Sequence, residues 1–543
     1  MEYPSCAVKL TIDRTAQAGH GRAATHRKRA LDGTSEHSAE DWGPFGRPIF
    51  EDPSARALSR VGVVDVGSNS VRLVVFDGAA RSPAFFYNEK IMAGLGEGLS
   101  ENGLLSKSGK SRALAALKRF KLVADGMGIS ELTAVATAAM REARDGPDFR
   151  AQIEAETGIK LYVIDGEEEA RLSAQGVLLG WPGARGLVCD IGGSSMELAV
   201  LEDGRVGRRL TSQLGPFRLK TIKGGKRALR KHINTLVSDL RDAMGVKDER
   251  LYLVGGSWRA IARIDMERRG YPLAVLHEYR MSRKSLLSTI DYIASQDPEV
   301  IRARCGLGQA RMALVPIAAE VLRSIVSTFR PSDIAVSSYG IREGMLYEQM
   351  PQKIRDRDPL IEACRFAEAK DARMPGFGRQ LYKFIRPLFR SASEARTRII
   401  HAACLLSDVS WRAHPDYRHE VCFDYATRAN LAGLTHQERV FLGVALLHRY
   451  KNSRAGSRFE PVFGLLSEDV LLEAEIVGKA LRFGSMLSVQ SPELMGQLRW
   501  YPRKRILEMR LAEGTEDLFG EVTEARFRSL AVALGADTRV ITP

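Results

Sequence analysis

The sequence predicts an α/β protein built from two related halves, followed by a mainly helical region. The first observation is Leu187–Leu201, LVCDIGGSSMELAVL, in which two apolar runs flank a Gly-Ser loop. This pattern is typical of two short strands joined by a tight turn. The second observation is a copy of the same pattern at 61–78, VGVVDVGSNSVRLVVFDG. The third is the change after Pro351, where helical spacing of apolar residues replaces the alternation of strands and helices.

The two copies share the chemistry of their loops. The matching pairs are Asp65 and Asp190, Gly67 and Gly192, and Ser70 and Ser195. Seven residues after each aspartate stands Arg72 in one copy and Glu197 in the other. Glycines let the backbone approach a ligand closely, and successive turn N–H groups can bind an anion. We therefore expect two phosphate-binding loops that face each other across a cleft.

The first half continues with alternating elements. We predict strands at 85–92, 132–136 and 159–164, and helices at 106–126, after Thr137, and from Asp165 to about Gly180. The last of these helices opens with Gly166-Glu-Glu-Glu169. Acidic residues in a first helical turn are favourable with the helix dipole, so capping alone could explain them. Alternatively, one of them faces the cleft and acts as a general base on water.

The second half repeats this plan from Gly186. Its predicted helices are 226–244, one beginning near Trp258, 282–295 and 310–329, and its later strands are 251–254 and 334–337. The strand at 251–254 ends in Gly255-Gly256-Ser257, a third glycine turn that could hold a phosphate oxygen. The two halves are predicted as lobes at 59–182 and 183–350.

A basic stretch at 205–231 carries much of the net charge of +14 and contains no acidic residue. Such a stretch attracts a polyanion, although a solvated basic face is the commoner meaning of a charge run. Phe217 is its only aromatic residue, which disfavours the base stacking of nucleic acids and favours a phosphate chain. The candidate polyanion patch consists of Arg218, Lys220, Lys223, Lys226, Arg227, Arg230 and Lys231.

Composition bounds the remaining possibilities. Residues 1–58 lack sustained periodicity and are predicted to be a disordered extension. No apolar run of membrane-spanning length and no signal-peptide layout is apparent, and the six cysteines lack CxxC spacing. These features favour a reduced, cytoplasmic protein.

After Pro351 we predict helices at 362–369, 378–386, 394–406, 425–432, 435–447 and 470–486, within a C-terminal domain at 351–543. A small mixed segment follows, with strands predicted at 500–509 and 538–541.

Six stretches occur in an order that is specific to one family. They are VVDVGSNSVRLVV (63–75), AVATAAMREA (134–143), IDGEEEARLSAQGV (164–177), LVCDIGGSSMEL (187–198), LVGGSWRAIARI (253–264) and SSYGIREGMLY (337–347). The chain thereby resembles the Ppx/GppA phosphatases, the exopolyphosphatases and guanosine pentaphosphate phosphohydrolases. The resemblance implies a duplicated actin-like ATPase (ribonuclease H-like) fold and hydrolysis of a terminal phosphoanhydride with Mg²⁺ or another divalent cation.

The resemblance also implies roles for individual residues. Glu169 would be the base on the attacking water. Asp190 and Glu197 would be functional acids at the metal and phosphate site, and Asp65 would complete the metal ligands; Arg141 is counted with Glu169, Asp190 and Glu197 among the catalytic residues. Phosphate would contact Gly192, Gly193, Ser194 and Ser195, with Ser68, Asn69 and Ser70 opposite, and Arg72 and Arg141 would clamp its oxygens. Gly256 and Ser257 join the candidate phosphate-binding residues on the strength of their glycine turn. Two residues depart from the family's DIGGGSTEL motif, Ser194 for glycine and Met196 for threonine. Because neither removes a charge, we expect activity to persist.

The helical region resembles the HD-like domain of longer exopolyphosphatases more weakly. Ser407 stands where the histidine of the His-Asp pair is expected, before Asp408, while His401, His414, His419 and His448 remain. We interpret this domain as non-catalytic, serving homodimer formation or binding of the distal polymer.

Several functions remain open from sequence. Removal of terminal orthophosphate from inorganic polyphosphate is favoured, and hydrolysis of guanosine pentaphosphate to the tetraphosphate is the main enzymatic alternative. An actin-like sugar kinase or chaperone fits the loops but not the GEEEAR and REG motifs. A non-catalytic polyphosphate or nucleotide sensor is disfavoured because Glu169, Asp190 and Glu197 are all present.

Overall fold

The computed structural model describes residues 60–77, 81–129, 132–246, 249–488 and 490–543, so the predicted extension at 1–58 lies outside the described residues. The strands are β1 Val61–Val66, β2 Val71–Phe76, β3 Phe85–Ile91, β4 Leu132–Ala136, β5 Leu161–Val163, β6 Gly186–Ile191, β7 Met196–Glu202, β8 Arg205–Ser212, β9 Leu251–Val254, β10 Arg280–Met281, β11 Ile334–Val336, β12 Gly496–Tyr501, β13 Ile506–Leu511 and β14 Asp537–Ile541.

The helices of the two halves are α1 Leu99–Asn102, α2 Lys107–Gly126, α3 Ala138–Glu142, α4 Gly146–Thr157, α5 Gly166–Gly180, α6 Pro216–Leu219, α7 Gly225–Met244, α8 Gly256–Arg268, α9 Arg283–Ser295, α10 Pro298–Cys305, α11 Gln309–Met312, α12 Val315–Phe329 and α13 Ile341–Glu348. Those of the C-terminal region are α14 Gln352–Arg355, α15 Pro359–Asp371, α16 Phe377–Ile385, α17 Glu394–Leu406, α18 Arg418–Arg428, α19 His436–Tyr450, α20 Glu460–Phe463, α21 Glu468–Leu487, α22 Pro492–Met495 and α23 Glu521–Leu534.

The predicted duplication is present in the sheets. Within the described residues, one sheet has the order β3-β2-β1-β4-β5 and the other β10-β11-β9-β6-β7-β8. In each, the predicted hairpin is antiparallel and its first strand pairs in parallel with a later strand, β4 or β9. Asp65 lies directly opposite Arg72, and Asp190 directly opposite Glu197. The seven-residue spacing seen in the sequence therefore places each pair across one hairpin.

Two helices connect the halves, because each packs against the sheet of the other half. Helix α5, which ends the first half, packs on β6, β7 and β8 of the second sheet. Helix α13, which ends the second half, packs on α5 and on β1 of the first sheet. One hydrophobic core consequently contains residues of both halves, such as Val63 and Val188. Each sheet lies within one predicted lobe, whereas the boundaries at 182 and 350 stay a prediction.

The contact between α5 and α13 depends on glycine. A Cβ atom at Gly344 would lie 1.8 Å from the carbonyl oxygen of Leu172, and one at Gly176 would lie 2.2 Å from that of Gly340. Because both neighbours are backbone atoms, neither can move without shifting a helix.

We expect Gly344→Ala to lower the thermal unfolding midpoint. Alanine favours a helix by up to about 1 kcal/mol over glycine, but overpacking costs typically about 1–3 kcal/mol or more. The matched control is Gly126→Ala in α2, where no atom lies within 4 Å of the added Cβ. Thermal melts should show a lower midpoint for Gly344→Ala and an unchanged or higher one for Gly126→Ala. Equal midpoints would contradict the predicted close packing.

Three predicted elements differ from the structure. The helix at 310–329 is two helices, because Pro316 occupies the first turn of α12, where its missing N–H costs nothing. The helix at 425–432 lies earlier, as α18, because the Arg439 guanidinium binds the carbonyl oxygens of Ala429 and Leu431 outside any helix. The strand at 500–509 is the antiparallel pair β12 and β13, which reverses through Pro502 and Arg505, at φ 49°.

Helices α15–α19, α21 and α23 form the core of the C-terminal region with strands β12 and β13, and Leu273 of the second half packs into the same core. In the second half, Gln309–Phe329 is long and apolar enough to span a membrane by composition alone. Its helix α12 is instead packed in the core of the second sheet, where Val315, Leu322, Ile325 and Val326 are fully buried.

Candidate active site

The two predicted turns meet at a cavity of about 160 Å³ between the two sheets. Each turn is closed in the same way: the N–H of Gly67 donates to the carbonyl of Ser70, and that of Gly192 to the carbonyl of Ser195, both at 3.0 Å. The cavity is therefore enclosed by two copies of one backbone conformation, as the sequence repeat predicts.

Most of the predicted site residues line this cavity. Those that do are Asp65, Ser68, Asn69, Ser70, Arg72, Glu169, Asp190, Gly192, Gly193, Ser195 and Gly256. Four other predicted residues do not line it and lie around it: Arg141, Ser194, Glu197 and Ser257. The Ser194 hydroxyl donates to that of Ser68 at 3.2 Å, which joins the two turns. Ser257 is fully buried and accepts from Arg311 Nη1 at 3.2 Å.

The acidic residues at the N-terminus of α5 have different contacts and therefore different roles. The Asp165 carboxylate accepts from the N–H of Glu168 at 2.8 Å and so caps the helix. Glu168 forms a two-pronged ion pair with Arg171 at 2.6 and 2.7 Å. Glu167 is exposed, and Glu169 alone reaches the cavity. Both sequence interpretations therefore apply, capping to Asp165 and the cleft to Glu169.

The pKa of Glu169 is raised well above its ordinary value. Burial is the main cause, and the negative charge of Glu197 is the next. Arg141 opposes the shift, with its Nη1 atom 3.5 Å from Glu169 Oε2. The same nitrogen donates to the carbonyl of Ile164 at 2.7 Å, so Arg141 positions the carboxylate. A buried carboxylate with a raised pKa is a stronger base than an exposed one.

Of the other carboxyl groups, Glu197 is buried, whereas Asp65 and Asp190 are half-buried at the cavity. Asp190 accepts from the Ser173 hydroxyl at 2.5 Å, and Glu197 accepts from the Thr211 hydroxyl at 3.1 Å. Burial and the charge of Asp190 raise the pKa of Glu197 to about 8. Burial likewise raises the pKa of Asp65, although Arg342 Nη1 lies 3.6 Å from its carboxylate.

Asp65 and Asp190 fit the requirements of a divalent cation. They line the cavity from opposite turns, and Mg²⁺ is usually bound by one or two carboxylates together with waters and substrate phosphates. Among the described residues, no three His, Cys, Asp or Glu side chains are grouped as a metal site. Glu197 is 1% exposed and does not line the cavity, so a direct role for it as a ligand stays a prediction.

Four cationic residues of the cavity were missed by the sequence analysis. They are Lys90, Arg259, Arg311 and Arg342. Arg259 and Arg342 stand inside recognisable motifs, and Lys90 lies across from Arg72 in the strand register, which is the only local signal for it. Burial, followed by the charge of Arg342, lowers the pKa of Arg259 to about 10. Together with Arg72 they form a cationic wall suited to phosphate oxygens.

Lys90 gives this wall a pH dependence. Although Lys90 is partly open to solvent, its ammonium group lines the cavity, where partial desolvation and then the neighbouring arginines lower its pKa to about 8. Its positive charge is therefore lost as the pH rises through that value. We expect the Kd of inorganic tripolyphosphate to rise between pH 7 and 9 in the wild type. Lys90→Arg, which keeps its charge, should reduce the slope. Isothermal titration at several pH values measures both, and equal slopes would contradict the assignment.

The basic stretch begins directly beside the second turn. The N–H of Phe217 donates to the carbonyl of Gly193 at 2.9 Å. Arg218 is paired with Glu142, and Arg230 with Glu320 at 2.8 Å. The exposed patch residues that form no ion pair with the described part of the chain are Lys220, Lys223, Lys226, Arg227 and Lys231. Part of the predicted patch is thus available to a polyanion, and two of its arginines are not.

The two departures from the family motif leave the cavity intact. Met196 is fully buried in the core of the second sheet, so the hydroxyl that it lacks would not reach the cavity.

In the helical region, both carboxylate oxygens of Asp408 accept from Arg373 Nε, at 3.0 and 2.9 Å. His401 stacks on Tyr382, and His448 is buried near Glu475. None of the hydrogen bonds or ion pairs described for Asp408 involves either histidine.

Comparisons with known proteins agree with this architecture. A model of the Ppx/GppA phosphatase family matches residues 74–353, slightly more than half of the chain, and a model described as exopolyphosphatase, C-terminal, matches residues 371–541. A solved structure, an exopolyphosphatase from Cytophaga hutchinsonii, superposes with a TM-score of 0.50 at 24% identity. It covers 54% of this chain and 98% of that chain. The predicted duplicated actin-like ATPase fold is thereby confirmed.

Two relatives by sequence differ in kind. Retrograde regulation protein 2 of Saccharomyces cerevisiae is 26% identical over 482 residues, which is 79% of this chain and 79% of that protein. Exopolyphosphatase 1 of Mycobacterium tuberculosis is 35% identical over 163 residues, which is 30% of this chain and 47% of that protein. The first relative is named as a regulation protein, and the aligned region covers most of both chains. The second is named as an enzyme, and the aligned region covers about half of that enzyme's length.

Proposed function

Because this chain belongs to the Ppx/GppA phosphatase family, we propose that it is an exopolyphosphatase that hydrolyses the terminal phosphoanhydride of inorganic polyphosphate. One observation carries the proposal. The buried carboxylate of Glu169 faces the same small cavity as the cationic wall of Arg72, Lys90, Arg259, Arg311 and Arg342. A base and a set of phosphate-binding cations around one cavity are what phosphoanhydride hydrolysis requires.

In the proposed reaction, a water held by Glu169 attacks the terminal phosphorus atom. Its proton passes to a carboxylate oxygen of Glu169, the bond from phosphorus to the bridging oxygen breaks, and orthophosphate leaves the shortened chain. The turn N–H groups and the cationic wall stabilise negative charge on the phosphate oxygens. A divalent cation held by Asp65 and Asp190 would supply further charge neutralisation.

The basic stretch is proposed to bind the polymer outside the cavity. We expect the combined change of Lys223, Lys226 and Arg227 to Glu to weaken the binding of long-chain polyphosphate more than that of tripolyphosphate, which we expect to occupy the cavity alone. Phosphate-release kinetics with the two substrates measure the difference in KM, and the matched control reverses Lys284, an exposed residue of α9. Equal effects on both substrates would mean that the stretch is only a solvated surface.

A second candidate is a non-catalytic sensor of polyphosphate or guanosine nucleotides. The observation that favours it is the similarity to a yeast regulation protein across 79% of both chains. Against it stand the carboxylates and cations described above, which a purely binding protein does not need in this combination. Hydrolysis of guanosine pentaphosphate remains the alternative enzymatic activity within the family.

The deciding experiment is phosphate release with Mg²⁺ from long-chain polyphosphate and, separately, from guanosine pentaphosphate. The proposal expects release from polyphosphate. Release from the nucleotide alone would replace it with the nucleotide phosphohydrolase, and tight polyphosphate binding without release from either would support the sensor.

A further inference from the structure

Three arginines of the C-terminal region lie on helices that pack together, and none of them has an acidic partner among the described residues. Arg449 lies on α19, Arg482 on α21 and Arg526 on α23, and α21 packs against both of the other helices. Burial, followed by the charges of Arg526 and Arg449, lowers the pKa of Arg482 to about 10. We call these residues the arginine cluster.

Each guanidinium group of the cluster has one buried nitrogen atom without a hydrogen-bond partner among the described residues. The Nε atoms of Arg449 and Arg526 and the Nη1 atom of Arg482 are buried, and none has a hydrogen-bond partner among the described residues. Arg449 is 7% exposed, and its guanidinium carbon lies 4.7 Å from the centre of the Tyr450 ring. Ser485, one turn after Arg482 on α21, is 4% exposed and its hydroxyl is likewise unpartnered.

Other arginines of the chain with an unpartnered Nε differ from this cluster. Arg218 and Arg342, for example, each keep an acidic partner, Glu142 and Asp65. In the part of the chain that the structure describes, no member of the arginine cluster forms an ion pair. Buried charges in proteins are normally paired, because an unpaired one keeps the full cost of desolvation.

The nearby charges do not compensate the cluster. The carboxylate that acts on Arg449 is Asp408, but both of its oxygens already accept from Arg373. The local charge is therefore strongly positive. Arg482 and Arg526 are only half-buried, so the cluster is open to solvent on their side and closed at Arg449.

We propose that the arginine cluster binds an oxyanion that carries phosphate groups, at a site separate from the cavity. The unpartnered N–H groups of the three arginines would donate to the phosphate oxygens, and the Ser485 hydroxyl would add a further donor. The phosphate is either a free anion or an inner segment of a polyphosphate chain. The proposal does not depend on catalysis, so it is testable whether or not the chain hydrolyses phosphoanhydrides.

Binding of pyrophosphate to the full chain tests the site. The variants Arg482→Gln and Arg526→Gln change half-buried residues, and Arg528→Gln is the matched control, exposed on α23 and paired with Glu524. All are made in an Arg259→Gln background, which weakens binding in the cavity. We expect pyrophosphate to raise the thermal midpoint of the background and control proteins. The cluster variants should lose this rise, with a Kd weakened about tenfold or more, because charge-assisted hydrogen bonds are lost.

Stability without ligand separates binding from a structural role. In phosphate-free buffer, the cluster variants should be as stable as the background protein or more stable, because they remove repulsion among unpaired charges. A pyrophosphate-induced rise that is identical in background and cluster variants would overturn the proposal. So would a loss of stability that is equal with and without pyrophosphate.

Long-chain polyphosphate distinguishes the two sources of phosphate. If the cluster holds the inner part of a polymer whose end occupies the cavity, Arg482→Gln in the otherwise wild-type chain should weaken long polyphosphate and leave tripolyphosphate unchanged. If the cluster holds a free anion, Arg482→Gln should leave the affinity for long polyphosphate unchanged. The number of pyrophosphate molecules bound per chain should then fall by one. Either result supports the site, and a change in neither would overturn it.

Discussion

Glu169→Gln should abolish most phosphate release while leaving substrate binding in place. Glutamine keeps the size of the side chain and its place beside Arg141 but cannot accept a proton from water. General-base catalysis contributes typically about 10²–10⁴-fold, so we expect kcat to fall by that factor. The KM for polyphosphate should change little, because the cations of the cavity remain.

The neighbouring Glu167→Gln is the matched control, since Glu167 belongs to the same helical turn and is exposed. Phosphate-release assays across pH extend the test. Because the pKa of Glu169 is raised, the wild-type rate should fall on the acid side at a higher pH than for an ordinary glutamate. A Glu169→Gln protein with wild-type kcat would remove Glu169 from the mechanism.

Arg259→Gln should weaken the binding of the terminal phosphate strongly. Arg259 lines the cavity from α8, and its Nη1 donates to the carbonyl of Ser337 at 3.3 Å, which aims the guanidinium. Hydrogen bonds to charged groups contribute about 1.5–3 kcal/mol each, so we expect the Kd of tripolyphosphate to rise about 10- to 100-fold. Loss of this charge should also raise the pKa of Asp190, which Arg259 lowers.

Arg259→Lys should recover only part of this loss, because an ammonium cannot bind two phosphate oxygens in a fork. Arg263→Gln, exposed one turn further along α8, is the control for removal of a charge from the same helix. Titration calorimetry with tripolyphosphate compares all three variants. An unchanged Kd in Arg259→Gln would mean that the phosphate lies elsewhere in the cavity.

The sequence by itself determined the local units of this protein. Apolar alternation and the Gly-Ser loops predict both hairpins, and the structure has them as β1–β2 and β6–β7. The same patterns place Asp65 and Asp190 at equivalent ends of strands. These features are predictable because a tight turn and a two-residue side-chain period depend only on neighbours in the chain.

Only the tertiary structure decided how these units form a site. It selects Glu169 from three consecutive glutamates and leaves Glu197 outside the cavity lining, because helix phase and sheet packing set the direction of each side chain. It also gathers cations that no local pattern connects, from β3 to α13: Lys90, Arg259, Arg311 and Arg342. Two further features depend on tertiary structure in the same way. One is the packing of α5 and α13 against the opposite lobe, and the other is the arginine cluster. Each depends on contacts between distant segments, which form only when the whole chain folds.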